Sequence, residues 1–396
     1  MTVPIPAEDP RHVPNRAVID PSAITYNTRQ ITGVLEEQTA LMAIVKADGY
    51  GHGMLTAARA ALEGGATWLG AAHPASALAL SRAGLDVPIL TWLFEPSTAQ
   101  VVLPEVIKAG VDVSVGSELM LRMVADAARA ADRRARVHIK IDTGMGRGGV
   151  VPSRVRELGH AATSDDYLSI AAAWTHLSAA DDPSDPMTDQ QVETFDAAFA
   201  QLCEEVGPVP LQHISATAAT LTRPELHRDL VRIGIGLYGY PPVPSPVRLR
   251  PALTLTTRVA MVKEVPAGST VGYGHIHTTD QPTRLGLLPI GYADGLHRAS
   301  SGKVEVLVRT RSGYQAARQV GRISMDQIVV DLGPESRAQA GDEVVLFGEV
   351  LDGLLPDEEG RALTVPTAAD WAEAGGTIPY EVLTSVSASV PRQVKG

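Results

Sequence analysis

Lys46 closes an apolar run suited to a buried strand, in "AIVKADGYGHG" over residues 43–53, and the chain then breaks into Gly49, Tyr50 and a Gly-His-Gly. A lysine in that place must either reach back to water or have a partner that justifies its burial. Other polar residues stand at comparable places. Arg147 follows "VHIKID", His176 ends "IAAAWTHL", His213 and Thr217 lie at and just past the end of "PLQHIS", and Arg232 interrupts "LVRIGIG". Such amines, guanidiniums, imidazoles and hydroxyls bind anions and move protons. Taken singly, each is more simply a satisfied polar residue. Six at equivalent places point to one shared site.

The elements that must carry these residues are short apolar runs alternating with amphipathic stretches. Candidate strands are "LMAIVKA" from Leu41, "WLGAA" from Trp68, "PILTW" from Pro88, "DVSV" from Asp112, "VHIKID" from Val137, "IAAAWTHL" from Ile170, "PLQHIS" from Pro210 and "LVRIGIG" from Leu230. Helix-like stretches lie between them, such as "GMLTAARAALEGG" and "SELMLRMVADAARAA", the latter opened by Ser117 as an N-cap. Eight such units within about 200 residues predict an α/β fold, a (β/α)8 TIM-like barrel, whose enzymes carry their chemistry at the C-terminal strand ends. An extra strand, "AVID" at Ala17, precedes them. After Tyr240 comes a proline-rich junction, "PPVPSPVRLRP", and then alternating runs such as "TRLGLLPI", "KVEVLVRT" and "DEVVLFG", which predict a mostly β C-terminal domain. The expected boundaries are 14–245 for the barrel and 246–396 for the β domain, with residues 1–13 packing on the latter.

Bulk properties narrow the partners. The 396 residues are 44% apolar and 20% charged, as in an ordinary soluble globule with a large core. The net charge of −11 argues against nucleic acid and anionic membranes and leaves small-molecule chemistry. Cys203 is the only cysteine, so no internal disulfide or cysteine-based metal cluster can form. The N-terminus lacks a basic segment followed by an apolar one, and no apolar run approaches the ~20 residues of a membrane span. A cytoplasmic location is expected. Three other patterns carry less. "GMGRGG" from Gly144 matches a dinucleotide fingerprint but comes late and holds an arginine. "DDPSD" from Asp181 and the pair His275 and His277 could bind metal, yet read more simply as loop and strand.

Eight motifs occur in order: "VKADGYGHG", "KIDTGMGRGG", "THLSAADD", "VRIGIGLYG", "VGYG", "IGYADG", "GRISMDQ" and "PYEVL". Together they resemble the bacterial alanine racemases, fold type III enzymes that use pyridoxal 5′-phosphate (PLP), from about Arg16 to Arg392. The resemblance implies an isomerase that interconverts L- and D-alanine with two bases. Lys46 would form a Schiff base with the cofactor aldehyde and act as the base on one face of Cα, which requires its amine to be desolvated away from the usual ~10.4. Tyr273 would be the base on the other face, with His176 and Arg232 as its relay. Arg232 would also face the pyridine nitrogen.

The phosphate would be held by Tyr50, Thr217, the amides of Gly234 and Ile235, and Tyr380. Arg147 would contact the cofactor and the substrate carboxylate, aligned by Lys140, which matches a position where many members carry a carbamylated lysine. Met325 would complete carboxylate recognition, while Tyr292 and Asp326 would shape the entrance. In the family Tyr273, Tyr292, Met325 and Asp326 reach the barrel of the partner subunit, which implies a homodimer. Two departures bear on specificity. Where the family commonly reads His-x-Ala-Asn-Ser-Ala this chain has Ala216 and Thr217, and where it reads Cys-Met-Asp this chain has Ser324. A racemase or other PLP enzyme of the same fold acting on a different amino acid in a specialised pathway, or a PLP-binding protein without catalysis, are the alternative readings.

Overall fold

The predicted alternation of buried runs and amphipathic stretches folds as parallel strands joined by helices. After an opening strand β1 (Arg16–Ile19) come β2 (Ala40–Ile44), β3 (Trp68–Ala71), β4 (Ile89–Thr91), β5 (Asp112–Val115), β6 (Ala135–Lys140), β7 (Leu168–Trp174), β8 (Leu211–His213) and β9 (Leu230–Ile233). Strands β2 to β9 form one eight-stranded sheet in the order β8-β7-β6-β5-β4-β3-β2-β9, each neighbour parallel to the next. The ring is nearly closed. The ends β8 and β9 share no ladder, but Arg232 N donates to Ser215 O at 3.0 Å and Ala216 bridges Arg232, so the segment just past the short β8 completes the circuit. This computed structural model describes residues 13–349 and 363–396. Residues 1–12 of the segment expected to pack on the β domain lie outside the described residues.

Two units emerge. One comprises Ile24–Gly49 and Met54–Leu249; the other comprises the N-terminal part up to Ala23, the four residues Tyr50–Gly53, and Arg250–Gly396. The barrel interior is polar toward one side. His138 on β6 meets His213 on β8 at 3.0 Å, passing over the intervening β7, so both rings point into the barrel. Strand alternation puts Lys140 on the face of His138.

The second unit is built on β10 (Leu253–Arg258), β11 (Met261–Val265), a small ribbon of β12 (Thr270–Val271) and β13 (His277–Thr278), then β14 (Thr283–Leu288), β15 (Glu305–Thr310), β16 (Gly313–Val320), β17 (Ile328–Asp331), β18 (Glu343–Phe347) and β19 (Arg392–Val394). Its nine-stranded sheet runs β11-β14-β17-β16-β15-β18-β10-β1-β19. Strand β1 therefore belongs to this sheet, antiparallel to β10 and parallel to β19, and the two units interleave along the chain instead of meeting at one junction. Two helices, Ala368–Gly375 and Pro379–Ser385, precede the last strand. The first is opened by Thr367, whose hydroxyl accepts from Asp370 N while the Asp370 carboxylate accepts from Thr367 N.

Candidate active site

Just past β2 the chain makes a left-handed turn. Ala47, Asp48 and Gly49 have φ of 51°, 52° and 62°. Residues with a Cβ resist this conformation at roughly 1–2 kcal/mol each. Two bonds offset the cost: Gly49 N to Val45 O at 3.0 Å, and Met54 N to Asp48 Oδ1 at 2.8 Å, the second fixing the start of the helix Met54–Glu63. The turn leaves Lys46 exposed at the strand end, open to a guest. Partial desolvation of its amine first, and the Arg147 charge second, hold it below the usual lysine range.

Lys46 has company of its own sign. Burial and the charges of Arg232, Arg147, Lys140 and Lys46 push His176 down to about 3, so its imidazole is neutral in the working range. Burial, then Arg147 and Arg232, bring the Lys140 amine down to about 8, partly opposed by Asp142. The Lys140 Nζ also lies 4.7 Å from the centre of the Trp174 ring, over which the Arg232 guanidinium sits at 4.9 Å. A mouth holding two lysines and two arginines, with Asp142 as the counter-charge, is built for an anionic guest.

Arg232 is buried and its hydrogens are largely spoken for. Nη1 donates to His213 O at 2.7 Å and to His213 Nδ1 at 3.1 Å; Nη2 donates to Thr175 O at 2.8 Å and Ile214 O at 3.1 Å, with His176 Nδ1 at 3.4 Å. Burial lowers its pKa to about 9, which still leaves it charged at neutral pH. Among the described residues no acceptor bonds its Nε–H, the one hydrogen left for a guest. Nearby, Thr217 Oγ1 accepts from Gly234 N at 3.2 Å, and Ile235 opens the short helical turn Ile235–Tyr238. A Cβ on Gly236 would come within 2.8 Å of the Thr217 methyl carbon, so the threonine fills the space beside this turn.

The remaining candidates lie in the second unit. Tyr50 and Tyr380 face each other with ring centroids 6.0 Å apart, and burial pushes the Tyr50 phenol well above its ordinary range. Their elements are held by Gly51, where a Cβ would approach Leu383 O to 2.8 Å. Arg392 of β19 donates to Gly51 O at 3.2 Å, Val390 O at 2.9 Å and Val386 O at 2.7 Å, and also to Ser387 O. Tyr273, Tyr292 and Met325 are open, at 73%, 42% and 54% exposure. The loops bearing Tyr292 and Met325 are tied together, Tyr292 N donating to Ser324 O at 3.0 Å and Ala293 N to Met325 O at 2.9 Å. Asp326 is close enough to Asp294 to raise the latter's pKa, after burial.

The weaker patterns resolve locally. Gly144 N and Gly146 N both donate to Asp142 Oδ1, at 3.2 and 3.1 Å, so the "GMGRGG" loop wraps its own carboxylate and presents Arg147. Asp182 and Asp185 accept from Ser184 N at 2.9 Å and Met187 N at 2.8 Å, as turn residues do. Asp142, Trp174 and Gln191 are not among the residues that the sequence singles out. The Gln191 amide, buried on the helix Met187–Val206, donates to His176 O at 3.1 Å and to Thr143 Oγ1 at 3.1 Å, and so anchors the loop after β7. Asp142 could have been found by alternation, two places beyond Lys140 on the same face; Gln191, on a helix, carried no such signal.

Two family models cover nearly the whole chain: "Alanine racemase, N-terminal domain" over residues 19–242 and "Alanine racemase, C-terminal domain" over 252–394. The chain belongs to the alanine racemase family. Similar members include the alanine racemase of Thermobifida fusca, 43% identical over 96% of this chain and 98% of its own, and that of Streptomyces coelicolor, 44% identical over 95% of each. Among solved structures, the alanine racemase from a D-cycloserine-producing Streptomyces lavendulae superposes with a TM-score of 0.88 at 41% identity, covering 97% of both chains. That of Streptomyces coelicolor superposes at 0.87 and 42%, covering 96% of this chain and 97% of its own. PLP is a property of this family, and the barrel mouth suits it. A lysine amine below its usual range suits an aldehyde, the cationic surround suits a phosphate, and a lone Nε–H suits a pyridine nitrogen.

Proposed function

We propose that this chain interconverts L- and D-alanine with PLP, as a homodimer in which each site draws on both copies. The observation that carries the reading is the gathering of Lys46, Lys140, Arg147, His176 and Arg232 at one end of the barrel, with Lys46 held below its usual range. When bound, the cofactor supplies an electron sink conjugated to the substrate Cα. Lys46 would hold it covalently, and Tyr50, Thr217, Tyr380 and the amides of Gly234 and Ile235 would hold its phosphate. Arg232 would offer its Nε–H to the ring nitrogen. A guanidinium keeps its proton, so Arg232 would leave that nitrogen unprotonated and the sink weak, which would favour plain proton transfer over side reactions.

Racemisation needs a base on each face of Cα, because a proton removed and returned on one face changes nothing. The Lys46 amine takes one face, and Tyr273 Oη, supplied by a second copy, takes the other. His176 Nδ1 lies toward a guanidinium donor, so the ring's one proton sits on Nε2, from which it can donate to the Tyr273 oxygen and stabilise its deprotonated form. Arg147 would grip the substrate carboxylate with a planar fork, with the Met325 backbone completing that contact. Tyr292 and Asp326 would line the entrance. The exposure of Tyr273, Tyr292 and Met325 in a single chain supports a second copy as their cover. Among the described residues no helix is long and apolar enough to cross a membrane, and a cytoplasmic location is part of the proposal. The test is to incubate the PLP-loaded protein with each enantiomer of a panel of amino acids and resolve the products on a chiral column. Alanine should reach a racemic mixture fastest. Failure with alanine but turnover of another amino acid would reassign the substrate.

A further inference from the structure

Behind Arg232 runs a line of buried polar groups that the reaction above does not use. Arg232 Nη1 lies 3.1 Å from His213 Nδ1, His213 Nε2 lies 3.0 Å from His138 Nδ1, and His138 Nε2 lies 3.1 Å from Asp112 Oδ2. Asp112 in turn accepts from Arg136 Nε, at 2.9 Å through Oδ1 and 3.2 Å through Oδ2. Both imidazoles are fully buried and Asp112 nearly so. Trp174 stacks on His213, 5.4 Å between centroids at 9°, and Trp68 meets His138 edge-on at 5.8 Å. An apolar filling would cost less than burying this many polar groups, so the line calls for a purpose.

We propose that Asp112 and His138 are positioning residues that fix the tautomer of His213, and through it the setting of the Arg232 guanidinium. The inference rests on the reading that Arg232 serves the cofactor ring. Direction follows from chemistry at the two ends. A guanidinium only donates, so His213 Nδ1 accepts and the His213 proton sits on Nε2. A carboxylate only accepts, so His138 donates from Nε2 and its Nδ1 is free to accept from His213. Both ends demand the same arrangement, one proton on each ring, all pointing from Arg232 toward Asp112. With His213 as a fixed acceptor, Nη1 is committed and Nε–H is the hydrogen presented to a guest. A His213 protonated on Nδ1 would set donor against donor and turn the guanidinium away.

Asp112→Asn tests this with almost no change of shape. Arg136 claims the amide oxygen, so the amide nitrogen faces His138 Nε2, which must then accept. The reversal propagates to His213, whose proton moves to Nδ1 opposite Arg232. Ring-nitrogen NMR on histidine-labelled holoenzyme should show His213 switching from the Nε2–H to the Nδ1–H form. Affinity for PLP should weaken, and kcat should fall about 10- to 100-fold, as for other outer-layer partners of an active group. His138→Gln, which accepts from His213 and donates to Asp112, should keep the Nε2–H form and most of kcat, whereas His138→Leu should lose both. An unchanged His213 tautomer in Asp112→Asn, or a switched tautomer with kcat intact, overturns the proposal. Should that variant fail to fold, equal losses in His138→Gln and His138→Leu would overturn it instead. Arg232→Lys separates the two readings: if it leaves activity intact, the role of Arg232 itself falls, while its loss beside an unaffected Asp112→Asn sinks only the present inference.

Discussion

Lys140 stands between opposing influences. Burial and two arginines drive its proton off, whereas the Trp174 ring beneath it and the Asp142 charge favour the ammonium. With a pKa of about 8, its amine is neutral in about one molecule in ten at pH 7, against fewer than one in a thousand for an ordinary lysine. The neutral amine is the form that captures carbon dioxide. A carbamate carbonyl resonance from isotope-labelled bicarbonate should therefore grow as pH rises through 8 and be absent in Lys140→Ala; a signal that persists in that variant would assign it elsewhere. A second expectation concerns Tyr273. Replacement by phenylalanine keeps the ring and deletes the hydroxyl, so PLP should still bind while racemisation falls by ~10²-fold or more. In heavy water, Cα exchange should disappear for L-alanine and persist without inversion for D-alanine, the pattern of one surviving base.

At the level of elements, the turn after β2 and the last strand work together on Tyr50. Gly51 sits at φ 82° with Leu383 O where a Cβ would go, and neither the backbone angle nor the helix Pro379–Ser385 can yield cheaply. Gly51→Ala should cost about 1–3 kcal/mol in denaturant unfolding and loosen the Tyr50 and Tyr380 pair. Arg392→Ala removes the guanidinium that gathers four carbonyls, including that of Gly51. Its effect should appear in PLP titrations as weaker binding. Lys46 itself stays in place, so borohydride reduction of either variant saturated with PLP should still label Lys46. A label on another lysine would argue against its role.

At the scale of the whole molecule, the site is expected only in the assembly. Lys46 lies in one unit, whereas Tyr273 lies exposed in the other. Chains carrying Lys46→Ala and Tyr273→Phe should each be nearly inactive alone, the second at about a hundredth of the wild-type rate or less. Mixed under exchange they should form hybrid dimers with one intact site and recover part of the wild-type rate. Hybrids verified by mass but lacking activity would place both bases in one chain and end the shared-site reading.

The barrel, its eight strands and the strand-end polar residues could be read directly from the chain, because burial on both faces writes continuous apolar runs in which Lys46 or Arg232 stands out. The second sheet is less legible. Strand β16, "GYQAARQV", carries too many polar residues to signal a strand, and only its neighbours β15 and β17 make it one. The membership of β1 was likewise hidden, since "AVID" pairs with residues more than two hundred places away, and pairing at that distance leaves no local trace. Residue type revealed which groups could do chemistry. Tertiary structure decided their state: the low pKa values of Lys46 and His176, the single spare hydrogen of Arg232 and the ordered protons of His213 and His138 come from burial and from partners on other strands, which spacing along one strand cannot encode.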